Sequence, residues 1–345
     1  MSRPHCLDRT AYWTRVGSAS KQELKLILAQ DAKLGAVTMS LPSGSLTTRR
    51  LIKALVVLSI CDFAISAVAS AGGPTFATVD FPGATGTYAE GINGTTIVGD
   101  YQDSSGTHGF VRSGGIFTSL DFPTAPQGSE THAFGVNSSG MIVGYYDTPS
   151  GQCVGFTFAG DTYSVIANPL STCTRMFGIN SAGTVVGDAT ISGHRYGYEV
   201  LHGSHVTFDN PAVNYPPDGR LQTYAFGINE KRAIVGVCQT SGTELGYLRT
   251  ATGEFTDIVF PGASATIAFG INRERIVVGV YSMQGPWHGF AKSGDEFFQV
   301  DYPGAVSTLA TGVSDDGDIT GYYMDPANGA HGFVYSGAER KTDRR

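Results

Sequence analysis

Apolar and polar positions along residues 76–335 keep a short beat. Brief runs of β-branched and aromatic residues are cut by Gly, Asn, Ser, Asp and Pro. Runs of this kind between turn residues read as strands. No stretch after residue 75 keeps the spacing of an amphipathic helix. The runs also recur in register. The phrase Thr-x-x-x-Gly-[Ile/Val]-[Asn/Ser] occurs six times, starting at Thr87, Thr131, Thr174, Thr223, Thr266 and Thr308, with spacings of 44, 43, 49, 43 and 42 residues.

After each phrase comes a second glycine (Gly99, Gly144, Gly187, Gly236, Gly279, Gly321), mostly behind a β-branched pair such as Val277-Val278. A third follows at Gly109, Gly155, Gly197, Gly246, Gly289 and Gly332, and then an aromatic run that in several copies ends in Asp-[Phe/Tyr]-Pro. Each unit therefore predicts four strands, and four strands in a unit of about 45 residues make a propeller blade. Strict alternation along the first strand puts Thr223, Ala225, Gly227 and Asn229 on one face and Tyr224, Phe226 and Ile228 on the other. The in-register glycines then read as room for aromatic rings of the next blade.

The last unit, Thr308 to Tyr335, lacks a fourth strand, and the missing phrase stands at the other end of the chain. Residues Phe76 to Ala84 match Phe297 to Ala305. The expected fold is all-β: a six-bladed β-propeller with four strands per blade, its N-terminal strand closing the last blade. Such closure leaves no interior edge unpaired. The alternative, an open β-solenoid, would carry distinct capping repeats.

Ahead of the repeats, Arg49-Arg50-Leu51-Ile52-Lys53 is a basic segment followed by a mostly apolar run, Ala54 to Val68. Ala67-Val68-Ala69 and Ala69-Ser70-Ala71 both fit a signal-peptidase site. The run is shorter than the roughly 20 residues of a membrane span; a retained anchor is the competing reading. Thr48-Arg49-Arg50 weakly resembles a twin-arginine signal. Met39 stands where a signal peptide would start. The expected organisation is an over-extended, disordered N-terminus at 1–38, a signal peptide at 39–71, the propeller at 72–338 and a charged tail at 339–345.

Charge and cysteine refine this picture. Only 15% of residues are charged, the net charge is −7, and the repeats hold no basic run. Phosphate contacts need clustered Lys and Arg, which argues against nucleic acid as a partner. Cys6 and Cys61 precede the repeats. Cys153 and Cys173 fall on the same rim by strand alternation, a candidate disulfide in an exported protein. Three free thiols, with Cys238, is the other reading.

The repeat resembles the bacterial extracellular HAF repeat, named for a His-Ala-Phe phrase. Here it reads His108-Gly109-Phe110, His288-Gly289-Phe290 and His331-Gly332-Phe333, behind the Gly-Ile-Asn and Ile-Val-Gly pattern. Val154-Gly155-Phe156, Tyr196-Gly197-Tyr198 and Leu245-Gly246-Tyr247 depart from it by lacking His. The resemblance implies export and repeat architecture, and it implies no activity and no site residue.

Candidate chemistry is sparse. The three histidines occupy equivalent positions on separate units, whereas zinc wants three or four converging ligands; a structural role is expected. Asp80, Asp121 and Asp301 read as acceptors for turn amides at strand ends. Asn93, Asn137, Asn180, Asn229 and Asn272 read as hairpin starters. Asp315-Asp316-Gly317-Asp318 lacks the other ligands of a calcium loop. No catalytic residue, metal or cofactor is assigned.

Irregular loops point to function better than the repeats do. Loops around Asp147, Tyr215, Trp287 and Asp325 should share one rim. Trp287 and Tyr215 would offer flat apolar faces beside the carboxylates Asp147 and Asp325, suited to a glycan or peptide. Two classes follow: a secreted or periplasmic, monomeric, non-catalytic binding or cell-envelope module with no stable membrane insertion, or a propeller-type polysaccharide hydrolase or lyase. The one clear break in the first strands is Glu90, where other copies hold Phe or Thr. A single carboxylate is not a catalytic pair.

The leader assignment carries its own test. N-terminal sequencing of exported protein should begin at about Ser70 to Gly72. A sequence beginning at Met1 or Ser2 would refute it.

Overall fold

The computed structural model describes residues 74–211, 222–240 and 243–337. The expected leader at 1–71, the tail at 339–345 and Tyr215 lie outside them. Every regular element among the described residues is a β-strand.

The strands fall into antiparallel meanders of four. Unit 1 comprises β2 (Gly86–Asn93), β3 (Thr96–Asp103), β4 (Gly106–Ser113) and β5 (Ile116–Leu120). Unit 2 comprises β6 (Glu130–Val136), β7 (Ile142–Asp147), β8 (Cys153–Ala159) and β9 (Thr162–Ile166). Unit 3 comprises β10 (Cys173–Ile179), β11 (Val185–Ile191), β12 (His194–Leu201) and β13 (Ser204–Phe208). Unit 4 comprises β14 (Gln222–Ile228), β15 (Ile234–Gln239), β16 (Glu244–Arg249) and β17 (Phe255–Ile258). Unit 5 comprises β18 (Ala265–Ile271), β19 (Val277–Ser282), β20 (His288–Ser293) and β21 (Glu296–Gln299). Unit 6 has β22 (Ser307–Val313), β23 (Ile319–Met324) and β24 (Ala330–Ser336); its fourth place is taken by β1 (Thr75–Val79). β1 runs antiparallel to β24, with Thr78 opposite Phe333. Single parallel bridges, Cys153 to Cys173 and Arg195 to Gln222, join units 2, 3 and 4 into one twelve-stranded sheet, while the other units are separate four-stranded sheets.

The first strands lie innermost. Each of β2, β6, β10, β14 and β18 contacts the first strand of the next unit, and β22 contacts β2. All six carry a bulge at the same place, between Ala225 and Gly227 in β14 and between Ala310 and Gly312 in β22. This corrects the strict alternation read from sequence, because the residue skipped by the ladder leaves the two-residue period. Those skipped residues are Glu90, Phe134, Phe177, Phe226, Phe269 and Thr311, all buried. Successive phenyl rings meet edge-on or tilted, with centroids 5.0, 5.2 and 5.0 Å apart from Phe134 through Phe177 and Phe226 to Phe269. The Thr311 hydroxyl donates to the Ala89 carbonyl at 2.8 Å, tying unit 6 to unit 1.

The glycines serve a closer approach than the one expected. A Cβ on Gly227 would sit 2.7 Å from the Phe269 carbonyl oxygen, and one on Gly312 would sit 3.0 Å from that of Glu90. The first glycine of each phrase thus admits the backbone of the next unit, not its rings. The second glycine clears its own sheet: a Cβ on Gly236 would meet the Tyr224 carbonyl at 1.9 Å and the Tyr247 hydroxyl at 2.8 Å. Beside it the third strands bury one large ring per unit, Phe110, Phe156, Tyr198, Tyr247, Phe290 and Phe333.

The asparagines do more than start turns. Asn137 Oδ1 accepts from the amides of Ser139 and Met141, and its Nδ2 donates across the seam to the Asn180 carbonyl at 3.1 Å. The same bridge runs from Asn180 to Asn229, from Asn229 to Asn272, and from Asn272 to Ser314.

At the opposite rim histidines close units 1, 3, 5 and 6. Tyr302 stacks on Tyr323 at 3.7 Å, and Tyr323 stacks on His331. Phe81, Tyr101 and His108 repeat the stack in unit 1, and Phe260, Tyr281 and His288 in unit 5. The aspartates expected to cap turns pair with these rings instead. His108 meets Asp121 at 2.8 Å, His288 meets Asp301 at 2.6 Å and His331 meets Asp80 at 2.9 Å. The reason is placement: the start of the third strand lies beside the end of the fourth. His194 makes the equivalent pair with Asp209 at 2.9 Å. Unit 2 has Val154 in that place, and there a disulfide joins Cys153 to Cys173 across a Cα separation of 4.4 Å. Closing a loop of this size stabilises by about 3 kcal/mol in the chain-entropy picture. Cys238 is a buried free thiol, pushed up to about 12 by burial.

Two outcomes test this account. Gly227→Val should lower stability by about 1–3 kcal/mol, since a carbonyl of the next unit must move, while Ser164→Val on the exposed face of β9 should change little. Equal melting temperatures would contradict the backbone approach. The second outcome is a pH dependence. The hydrogen bond to Asp301 raises the His288 pKa above 6.5 against the opposing effect of burial, and Asp80 does the same for His331. Burial opposes the Asp301 charge, but His288, Gln299 and the Gly289 amide together hold its pKa below 3.8. The histidine contribution is therefore complete below pH 6.5 and is lost as pH rises through the raised value. The Asp301 contribution is complete above pH 3.8 and is lost on acidification. A His288→Gln/His331→Gln variant should melt below wild type most clearly at about pH 5.5, with the gap narrowing by about pH 8.5. A gap that stays constant with pH would refute the ion-pair assignment.

Candidate functional site

Two residues before each bulge, the inner strand presents a side chain at the end that carries the loops between units. The residues there are Tyr88, His132, Arg175, Tyr224, Ile267 and Leu309. Their ladder partners on the second strand are Asp100, Tyr145, Asp188, Val237, Val280 and Tyr322. The backbone is the same in every unit; the chemistry is not.

Units 1–4 place polar groups there. Asp100 Oδ2 lies 2.8 Å from His132 Nδ1, and Asp100 Oδ1 accepts from the Ala133 amide at 3.0 Å. One carboxylate of unit 1 thus fixes both the ring and the backbone of unit 2. An acceptor at Nδ1 holds the proton there when the ring is neutral. His132 Nε2 lies 3.8 Å from Asp147 Oδ2. The guanidinium of Arg175 pairs with Asp188, Nη2 to Oδ1 at 3.0 Å. It stands 5.6 Å from the Tyr145 ring, 5.5 Å from Phe177 and 5.9 Å from Tyr224, touching units 2, 3 and 4 at once. Arg195 adds its Nε at 3.5 Å from Asp188 Oδ2 and donates from Nη1 to the Tyr224 hydroxyl at 3.0 Å.

Burial here is nearly complete: the side chains of His132, Arg175 and Asp188 are 4%, 3% and 0% exposed. Burial opposes the charge of Arg175, but Asp188, with Tyr145, Tyr224 and Asp147, outweighs it and holds the pKa above its ordinary value. Tyr88 is raised by burial first and then by Asp100 and Glu90.

One step nearer solvent the pattern continues. Gln102, Asp147, Thr190 and Gln239 stand in units 1–4, and Ser282 and Met324 in units 5 and 6. The Tyr88 hydroxyl reaches Gln102 Oε1 at 3.4 Å, and the Tyr224 hydroxyl reaches Gln222 Oε1 at 2.9 Å and Gln239 Oε1 at 3.4 Å.

The residues singled out from sequence fare unevenly. Asp147 lies beside this cluster, at the His132 ring. Asp325 is engaged in its own turn, accepting from the amides of Ala327 and Gly329, and lies 3.6 Å from His331. Trp287 is no exposed platform: it is 7% exposed, and its carbonyl accepts from Thr308 at the seam between units 5 and 6. Its loop folds it inward, which loop position in a sequence does not reveal. Sequence reasoning missed Tyr88, Asp100, His132, Arg175, Asp188 and Tyr224. The signal was present: the second position of the repeated phrase varies in chemistry between a constant Thr and a residue that is Ala in five copies and Met176 in the remaining one.

No family model matches the chain, and no curated protein does. Among solved structures, the virginiamycin B lyase from Staphylococcus aureus is 12% identical over 75% of this chain and 88% of its own, with a TM-score of 0.43. The fucose-binding lectin of Aleuria aurantia is 12% identical over 75% and 96%, at 0.47. TolB from Acinetobacter baumannii is 10% identical over 72% and 65%, at 0.47. At these identities and scores the likeness decides nothing about the chemistry of this chain.

Proposed function

We propose that this chain is an exported six-bladed β-propeller of the HAF-repeat type, with β1 completing the last blade, and that it binds a glycan or peptide where the inner strands converge on the loop-bearing rim. The unbroken succession of inner-strand contacts, the return of β22 to β2 and the pairing of β1 with β24 support the architecture. The Cys153–Cys173 bond fits an oxidising compartment.

One observation carries the functional reading. Equivalent positions hold Arg175 and His132 in two units but Ile267 and Leu309 in two others, on the same backbone. Buried ion pairs add little net stability over apolar residues of similar size, and often less than none. The fold tolerates the apolar choice in units 5 and 6, so stability does not explain the polar choice in units 1–4. The Arg175 charge is also neutralised inside the cluster by Asp188, and the His132 ring is held at Nδ1 by Asp100, which suits an orienting scaffold better than a proton shuttle. The hydrolase or lyase reading keeps one observation in its favour: Asp100 orients His132 as a carboxylate orients a general base.

Arrays of glycans and peptides probed with wild type and Tyr88→Phe/Tyr224→Phe should show about tenfold weaker binding for the variant, from two lost hydroxyl contacts. Binding unaffected by the change would move the site away from the inner strands. Polysaccharide turnover that His132→Gln abolishes would transfer the reading to an enzyme.

A further inference from the structure

The entrance above the inner strands has two unlike halves. Units 1 and 4 stand three apart in a circuit of six and carry the same arrangement, a tyrosine two residues before the bulge with a glutamine at its hydroxyl: Tyr88 with Gln102, and Tyr224 with Gln222 and Gln239. Passing between them one way crosses the ionic groups of units 2 and 3. Passing the other way crosses Ile267 and Leu309, with Ala265 opposite Ser282 and Ser307 opposite Met324 nearer solvent, where no ionised side chain stands.

The exposed apolar residues lean the same way. Of those on the loop rim, Val259, Met283 and Val306 belong to unit 5 and the links on either side of it, 47%, 54% and 43% exposed. Leu170, between units 2 and 3, is the exception. Met283 lies against the link at Gly262, and the Val306 amide is held by the Met324 carbonyl at the head of β22.

Resting on the binding reading above, we infer that the ligand is a neutral pyranose at the end of a glycan. Its C–H face lies on the apolar half and its hydroxyl edge lies between the two tyrosine–glutamine pairs. The chemistry of the entrance selects this class. Phenol hydroxyls and carboxamides both donate and accept, as vicinal sugar hydroxyls do. A pyranose presents one apolar face and a polar rim, matching the split. An acidic sugar would have to compete with Asp188 for Arg175 and with Asp100 for His132, both within 3.0 Å of their partners. An extended peptide can bind by adding to a sheet edge. Each inner strand is laddered on one side to its second strand, and its other side lies against the next inner strand, as Gly227 does against the Phe269 carbonyl, so the inner edges are already occupied.

The test uses the secreted protein with methyl glycosides of neutral sugars, methyl glycosides of uronic acids, and short uncharged peptides. Binding is read by calorimetry and by saturation-transfer NMR. A neutral glycoside should bind, with the strongest transfer to its C–H protons. Gln222→Ala/Gln239→Ala and Met283→Ser/Val306→Ser should each weaken it about tenfold. Circular dichroism and melting should match wild type for both variants, because these side chains are partly exposed. Binding of uronic acids in preference to neutral sugars would overturn the inference. Peptide binding that Tyr88→Phe/Tyr224→Phe weakens would also overturn it while leaving the entrance as the site. A neutral sugar that binds equally to wild type and both variants, or no glycoside binding up to about 10 mM, would overturn it as well.

Discussion

Everything in this molecule depends on how closely neighbouring inner strands approach. A glycine after each bulge brings the backbone of one unit against the carbonyl of the next, as Gly227 does with Phe269 and Gly312 with Glu90. Any side chain there would hold the strands apart. The bulge one residue earlier re-aims a large side chain while the ladder continues around it. Together they make a tight inner wall floored by Phe134, Phe177, Phe226 and Phe269. The asparagine bridges then fix the far end of the four seams from unit 2 to unit 6, and the histidine–aspartate pairs fix the near end of four units.

A wall so uniform makes its exceptions informative. With the backbone held in common, the side chain two residues before the bulge can vary without disturbing the sheets. Tyr88, His132, Arg175 and Tyr224 take that position in four units and Ile267 and Leu309 in two. Placing ionised groups in a nearly dry setting requires each to find a partner. Asp100 and Asp188 supply them from the second strands, one residue past the second glycine. The cluster is thus a set of coordinated substitutions at two positions of the repeat.

Much of the architecture is legible in the sequence, because the period, the turn residues and the orphan strand phrase at Phe76 are all local signals. The four-stranded units and the pairing of that phrase with the strand holding Phe333 follow from them. The bulges are not legible: a one-residue slip leaves the string of residue types unchanged and shows only in the ladder. The burial of Trp287 is hidden for a similar reason, since nothing in Gln284-Gly285-Pro286 says which way the loop turns. The ionic cluster is half legible. His132 and Arg175 stand out once the six phrases are superposed, but their partners come from other strands, and Asp100 serves a different unit altogether.

The pairing of Thr75 with Ser336 has a consequence for orientation. Third strands such as β24 start at the loop-bearing rim and end at the far one, so Ser336 and its neighbour Thr75 stand on the side away from the inner-strand entrance. A support coupled at either point would hold the molecule by its back and leave that entrance facing outward. On the binding reading proposed above, such a support and a bound ligand would occupy opposite faces, and several copies fixed side by side would all present the same face.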